Sequence, residues 1–291
     1  TNEDDEVSYR LASSYGPVEW LRLFGSYTES FRAPSINELY LDGQHFAIDL
    51  GPPFTPTGPA VNTFVPNPDL IPEKLETVEF GIGFDFANIF AEGDAFQAKA
   101  SYYETEAEDL IDISVLGGFP IAGCFDFNPF SPCNAGTTES RNVDNAEIDG
   151  FELEAIYESR RFRTKLSYSE IDGENTDTGE DLGILTPDRL ALDLRLKMYE
   201  WNAVFGTRLQ FADDYEERTI PTGSTTLQTT EERDSYAVVD LYAAWTPVFI
   251  DGLRFDVGVD NVFDEDYERV NEGVSEPGVN GKVAVSFRKG F

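Results

Sequence analysis

The feature that most constrains this chain is a period of two. In RLALDLRLKM, Leu190, Leu192, Leu194, Leu196 and Met198 fall on one side of an extended backbone, and Arg189, Asp193, Arg195 and Lys197 on the other. Successive strand side chains point to opposite faces, so the segment has one apolar and one charged face. VEFGIGFDF sets Val78, Phe80, Ile82, Phe84 and Phe86 against Glu79 and Asp85. AVVDLYAAW sets Val239, Leu241, Ala243 and Trp245 against Asp240 and Tyr242. LRFDVGVDNV sets Leu253, Phe255, Val257 and Val259 against Arg254, Asp256 and Asp260. About eleven strands are expected, near 7–15, 20–31, 75–86, 95–114, 142–157, 162–172, 187–198, 202–216, 235–246, 253–262 and 279–291. Several reach ten residues, long for a soluble sandwich.

The connections alternate. GPVE, ESRR and MYEW are tight turns, and VFIDG is nearly so. Between them lie long links: 32 residues from Ser35 to Pro66, then roughly 27, 14, 18 and 16 residues, lengths unusual in a compact domain and usually functional. Short turns at one end and long links at the other mark an outer-membrane β-barrel, with apolar faces toward lipid and charged faces toward the lumen.

Charge and cysteine usage narrow the partners. Lys and Arg total 21 and Asp and Glu 55, for a net charge of −34. That excludes a phosphate backbone as partner, and a polybasic hold on anionic lipid. Aromatics make up 13% of the chain, too many for an acidic disordered tail. No apolar run reaches the roughly 18 residues of a membrane helix. TNEDDEVSYR reads as a polar entry into something already under way, without a signal peptide. The acid runs ETEAED, DGENTDTGED, DDYEE, TTEERD and DEDYE fall at strand ends on the long-link side. They read as a solvated rim, because none has the ligand spacing of a calcium loop. Cys124 and Cys133 have no second pair and no neighbouring His to suggest a metal site. They read as a short disulfide loop in an oxidising compartment, against two free thiols. No Ser–His–Asp arrangement or G-x-S-x-G elbow is present, so catalysis is not expected.

SYTESFRAPSINELY, VPNPDLIPEKLETVEFGIGFDF and DNVFDEDY resemble TonB-dependent outer-membrane receptors. The terminal GKVAVSFRKGF resembles the closing strand of outer-membrane proteins, with Phe291 as its last aromatic. ELYLDGQHFAI is narrower: a histidine between the FRAP and NPDL segments looks like the haem and haemoglobin receptors of that family. The likeness continues through KASYYETEAEDLI and NVDNAEIDGFELEA and covers essentially the whole chain.

The resemblance implies an all-β, plugged transmembrane barrel of about 22 strands. Residues 1–291 would be its C-terminal half, with the plug and the N-terminal strands outside this chain. It implies haem as transported ligand, taken free or from a haem protein, and TonB acting through the plug. Outer-membrane lipid would surround the barrel. His45, the single histidine, would then be an axial ligand of haem iron, which accepts neutral imidazole. Tyr40 is a second candidate, since phenolate also ligates haem iron. Phe46 could stack on the porphyrin. Arg32 and Pro34 read as structural, Arg pairing with the rim and Pro fixing the chain's exit from its strand. CFDFNPFSPC reads either as an aromatic tip for a protein partner or as a self-packed stapled loop. The alternative ligand is a ferric siderophore, with His45 incidental. A soluble β-sandwich lectin fails on strand length and one-sided apolar faces.

The cysteine pairing is directly testable. Mass spectrometry of unreduced peptide from intact cells should find Cys124 linked to Cys133, a closure contributing about 2–3 kcal/mol at most; two alkylatable thiols would refute it.

Overall fold

Alternating strands form a two-faced wall only if neighbours share register, and here they do. The structure, a computed structural model, describes residues 7–48, 59–116, 134–142, 145–177, 179–182, 185–219, 229–269, 276 and 278–288. Eleven long strands make one antiparallel sheet: β1 (Tyr9–Val18), β2 (Leu21–Arg32), β5 (Glu73–Ala87), β6 (Ala95–Glu108), β9 (Ala146–Glu158), β10 (Phe162–Asn175), β12 (Arg189–Met198), β13 (Ala203–Ala212), β16 (Tyr236–Trp245), β17 (Leu253–Asp260) and β18 (Asn280–Phe287). Each pairs with the next in that order, and the two-residue β11 (Glu180–Asp181) adds to β10. Among the described residues β1 and β18 do not pair, so the wall is open, as part of a larger barrel requires.

The register carries one apolar face across the wall. Leu21, Phe84, Ala98, Ala155, Leu166, Leu192, Leu209 and Val239 stand in a single cross-strand row. Along β5, Val78 to Phe86 spans eight steps, roughly 26 Å at about 3.3 Å each, close to the ~25 Å apolar band of an outer-membrane barrel. Aromatic rings cluster toward both ends of that band. At the short-turn end Trp20 stacks on Phe86 at 5.3 Å and Trp245 on Phe255 at 5.6 Å. At the other end Phe80 meets Tyr102 at 5.4 Å and Phe151 meets Tyr168 at 6.2 Å. Beyond the second girdle, still facing outward, Glu29, Glu76, Glu106, Glu147 and Glu174 stand side by side on five neighbouring strands.

The opposite face is charged and ordered. Lys165, Asp193, Arg208 and Asp240 succeed one another across four strands, and Asp193 pairs with Arg208 at 3.4 Å. The Tyr242 ring lies over Gly206, where any Cβ would overlap it. Phe24 covers Gly81 and Tyr103 covers Gly150 in the same way, so three cross-strand aromatic–glycine pairs fill this face.

The expected alternation of links holds. The short turns follow β1, β5, β9, β12 and β16; the long links follow β2, β6, β10, β13 and β17. The turn after β5 is a built element. The buried Asp94 carboxylate accepts backbone N–H bonds from Ile89, Phe90 and Ala91 at 2.8–3.0 Å, and the Tyr157 hydroxyl at 2.9 Å.

The structure corrects the sequence reading of the long links, which expected no elements within them. The first holds α1 (Ile36–Tyr40), β3 (Gly43–Ile48) and β4 (Ala60–Phe64). The second holds β7 (Ile111–Leu116) and β8 (Asn134–Asn142). The expected strand 95–114 breaks because Asp109 takes a left-handed conformation, φ 57°, and turns the chain into β7. The expected strand 202–216 ends at Ala212, and β14 (Tyr215–Thr219) pairs instead with β15 (Thr229–Arg233). Cys124, Cys133, the CFDFNPFSPC tip and Phe291 lie outside the described residues.

The two faces separate experimentally. Leu192→Arg should cost about 2–4 kcal/mol if the position lies near the bilayer midplane. In intact membranes a cysteine at 193 should react with aqueous reagent and one at 192 should not; the reverse pattern would invert the wall.

Candidate functional site

The links after β2 and β6 emerge at the same end of adjacent strand pairs, and their base is clamped. Arg32, at the end of β2, forms a bidentate pair with Glu73 at 2.5 and 2.6 Å and another with Glu38 at 2.9 and 3.0 Å. Glu73 is 4% exposed and accepts the Ile111 N–H at 2.7 Å. The guanidinium thus joins β2, α1 and β5, its Glu73 partner extends the clamp to the start of β7, and the rim pairing expected of Arg32 is present. Ser35 caps α1 in a reciprocal box: its hydroxyl accepts the Glu38 N–H, and the Glu38 carboxylate accepts the Ser35 N–H. Asn67 donates to the Ser140 carbonyl at 2.8 Å. Asn142 brackets Ile71, accepting its N–H at 3.0 Å and donating to its carbonyl at 2.9 Å. The FRAP and NPDL segments are therefore fasteners of the link bases.

Above the clamp the two links zip into a four-stranded sheet in the order β3, β4, β8, β7. β4 and β8 run parallel, 73 residues apart at Val61↔Asn134. Ala60, Asn62, Ala135 and Thr138 are essentially fully buried in it.

His45 sits at the irregular point of this sheet. Gln44 pairs with Thr63 and Phe46 with Asn62, which leaves His45 as the extra residue of a bulge. Bulges re-aim a side chain, and are frequent beside functional sites. The imidazole lies 4.2 Å from the Phe64 ring and 4.9 Å from the Phe46 ring, centroid to centroid. Its Nδ1 is 3.0 Å from Thr138 Oγ1. Thr138 Oγ1 in turn donates to Asn62 Oδ1 at 2.6 Å, and Asn62 Nδ2 donates to the Ala135 carbonyl at 3.2 Å. Burial pulls the imidazole pKa below its usual value, against a smaller opposing pull from the Asn62 amide.

Of the residues singled out from sequence, the fold brings His45 and Phe46 together. Tyr40, the last residue of α1, is exposed at 53%. Among the described residues, no hydrogen bond or ring contact joins it to His45. The sequence reading missed Phe64, Asn62 and Thr138. Phe64 stands just ahead of the NPDL segment, but nothing local points to Thr138, 93 residues away. Among the described residues no group of three or more His, Cys, Asp or Glu side chains is arranged to hold a bare metal ion. None of their helices is long and apolar enough to cross a membrane.

Known proteins share this organisation. A family model described as TonB dependent receptor-like, beta-barrel matches residues 1–262. A Hemin receptor of Yersinia enterocolitica is 33% identical over 288 residues, covering 98% of this chain and 39% of its own length. A Heme/hemopexin utilization protein C of Haemophilus influenzae is 25% identical over 288 residues, covering 98% and 38%. Among solved structures, a double mutant of the Serratia marcescens hemophore receptor HasR, in complex with its hemophore HasA and heme, superposes with a TM-score of 0.68. It is 20% identical and covers 97% of this chain and 39% of its own. Copper transporter OprC superposes equally well, at 0.68 and 19% identity, over 96% of this chain and 39% of its own. The chain thus spans about two fifths of the length of the relatives it matches. With the family model spanning most of the chain, and the open wall, the two girdles and the alternating links all in place, the chain belongs to the TonB-dependent receptor β-barrel family.

Proposed function

We propose that this chain is the C-terminal part of an outer-membrane receptor that captures haem, free or from a haem protein, for TonB-driven uptake, and that His45 is an axial ligand of the haem iron. The observation that carries the reading is the setting of His45. It lies on a bulge, flanked by two phenyl rings, in the sheet built from the links after β2 and β6, and burial lowers its pKa. Porphyrin offers an apolar face and an iron that takes imidazole nitrogen, so such a setting suits it chemically. Two relatives whose names specify hemin or heme, matched over nearly the whole chain, support it. Phe46 serves the porphyrin face in this reading, and Tyr40, separate and exposed, is the weaker ligand candidate. Closure of the barrel, the plug and the contact with TonB belong to the rest of the receptor.

The test is haem titration by visible absorbance on the complete receptor. His45→Ala should weaken binding and haem-dependent growth while barrel assembly is unchanged, because a loop side chain contributes little to barrel stability. The loss is partial if a second ligand comes from the plug. Protons compete with iron for imidazole. With its pKa already lowered by burial, His45 stays neutral through pH 7, so binding should hold there and fall as the pH drops through that lowered value. An unchanged spectrum and affinity in His45→Ala would move the ferric-siderophore reading to first place.

A further inference from the structure

The Thr138–Asn62 pair decides which nitrogen of His45 is free. Neutral imidazole carries one proton, on Nδ1 or on Nε2, and only the bare nitrogen can bind iron. The Asn62 amide is oriented by its far end. Its Nδ2 donates to the Ala135 carbonyl, and a flipped amide would set two acceptor oxygens against each other there. Asn62 Oδ1 must therefore face Thr138, 2.6 Å away. A hydroxyl has one proton to give, and Thr138 gives it to Asn62. Toward His45 it can only accept, so Nδ1, at 3.0 Å, must be the donor. Both relay residues are 0% exposed, which leaves no water to reverse the direction.

We infer that Thr138 and Asn62 are positioning residues: they hold His45 as the Nδ1–H tautomer and so present a bare Nε2 to the haem iron. The inference rests on the haem reading for its ligand, but the tautomer stands on the hydrogen bonds alone. It also makes the site a product of two links. His45 and Asn62 come from the link after β2, and Thr138 and Ala135 from the link after β6. Where Thr138 is not docked, imidazole reverts to the mixture it adopts in water, and part of the population offers iron a protonated Nε2.

The experiment uses the complete receptor in nanodiscs with ¹⁵N-labelled histidine, the His45 signals being assigned by difference from His45→Ala. Without haem, the wild type should show a protonated, pyrrole-type Nδ1 and an unprotonated, pyridine-type Nε2. Thr138→Val keeps the shape and removes the acceptor. It should move protonation toward Nε2 and weaken haem binding roughly ten- to hundred-fold, the usual effect of losing an outer-shell partner. Thr138→Ser should restore both. Heat-modifiable migration on gels checks barrel assembly for each variant. A protonated Nε2 in the wild type, or wild-type haem affinity in an assembled Thr138→Val receptor, overturns the relay. Unchanged haem binding in His45→Ala overturns the haem reading itself, and the wild-type tautomer then reads the relay without reference to haem.

Discussion

A bilayer offers no water to a backbone amide, and the rest of this structure follows from that. In hydrocarbon every N–H and C=O must be paired within the protein. The eleven long strands meet the demand by long antiparallel ladders, broken in register between β1 and β2 only near their short turn, between Tyr15 and Val18. β5 and β6 pair through fourteen consecutive positions and β9 and β10 through thirteen. So regular a ladder leaves chemistry little purchase on the wall. Irregular backbone is allowed only where the links leave the membrane, and the bulged histidine, the left-handed Asp109 and the clamp around Arg32 all lie there.

The same constraint decides what could be read in advance. The wall was legible because lipid on one face and water on the other stamp a period of two on every strand. The segments at 75–86, 187–198 and 235–246 lie within three residues of β5, β12 and β16 at either end. The loop sheet was not. β3, β4, β7 and β8 are five to nine residues long and belong to a small sheet, where neither face is dictated by bulk lipid. One of its three pairings is parallel and joins segments more than 70 residues apart, which local periodicity does not encode. His45 stood out through its rarity and its neighbours in sequence. Thr138 had no such mark, because its role exists only once the second link is docked against the first.

The family motifs also change meaning once placed. FRAP and NPDL look like recognition signatures in sequence, yet Arg32 and Asn67 are spent on carboxylate and backbone contacts at the link bases. Asn261 of DNVFDEDY is similar: buried, it exchanges hydrogen bonds with the Glu265 backbone and closes a turn. A common base can carry different link contents, so family membership and ligand identity are written in different residues.

The outward row of Glu29, Glu76, Glu106, Glu147 and Glu174 works as a waterline. Carboxylates side by side repel and need water between them, and drawing them into hydrocarbon is costly. The wall therefore resists sinking by even one strand step, while the aromatic girdle below the row resists rising. Vertical play is removed on that flank of the barrel, the flank that carries the links after β2 and β6. The height of the imidazole above the membrane surface is then set by ballast in the strands, far from the loop that bears it.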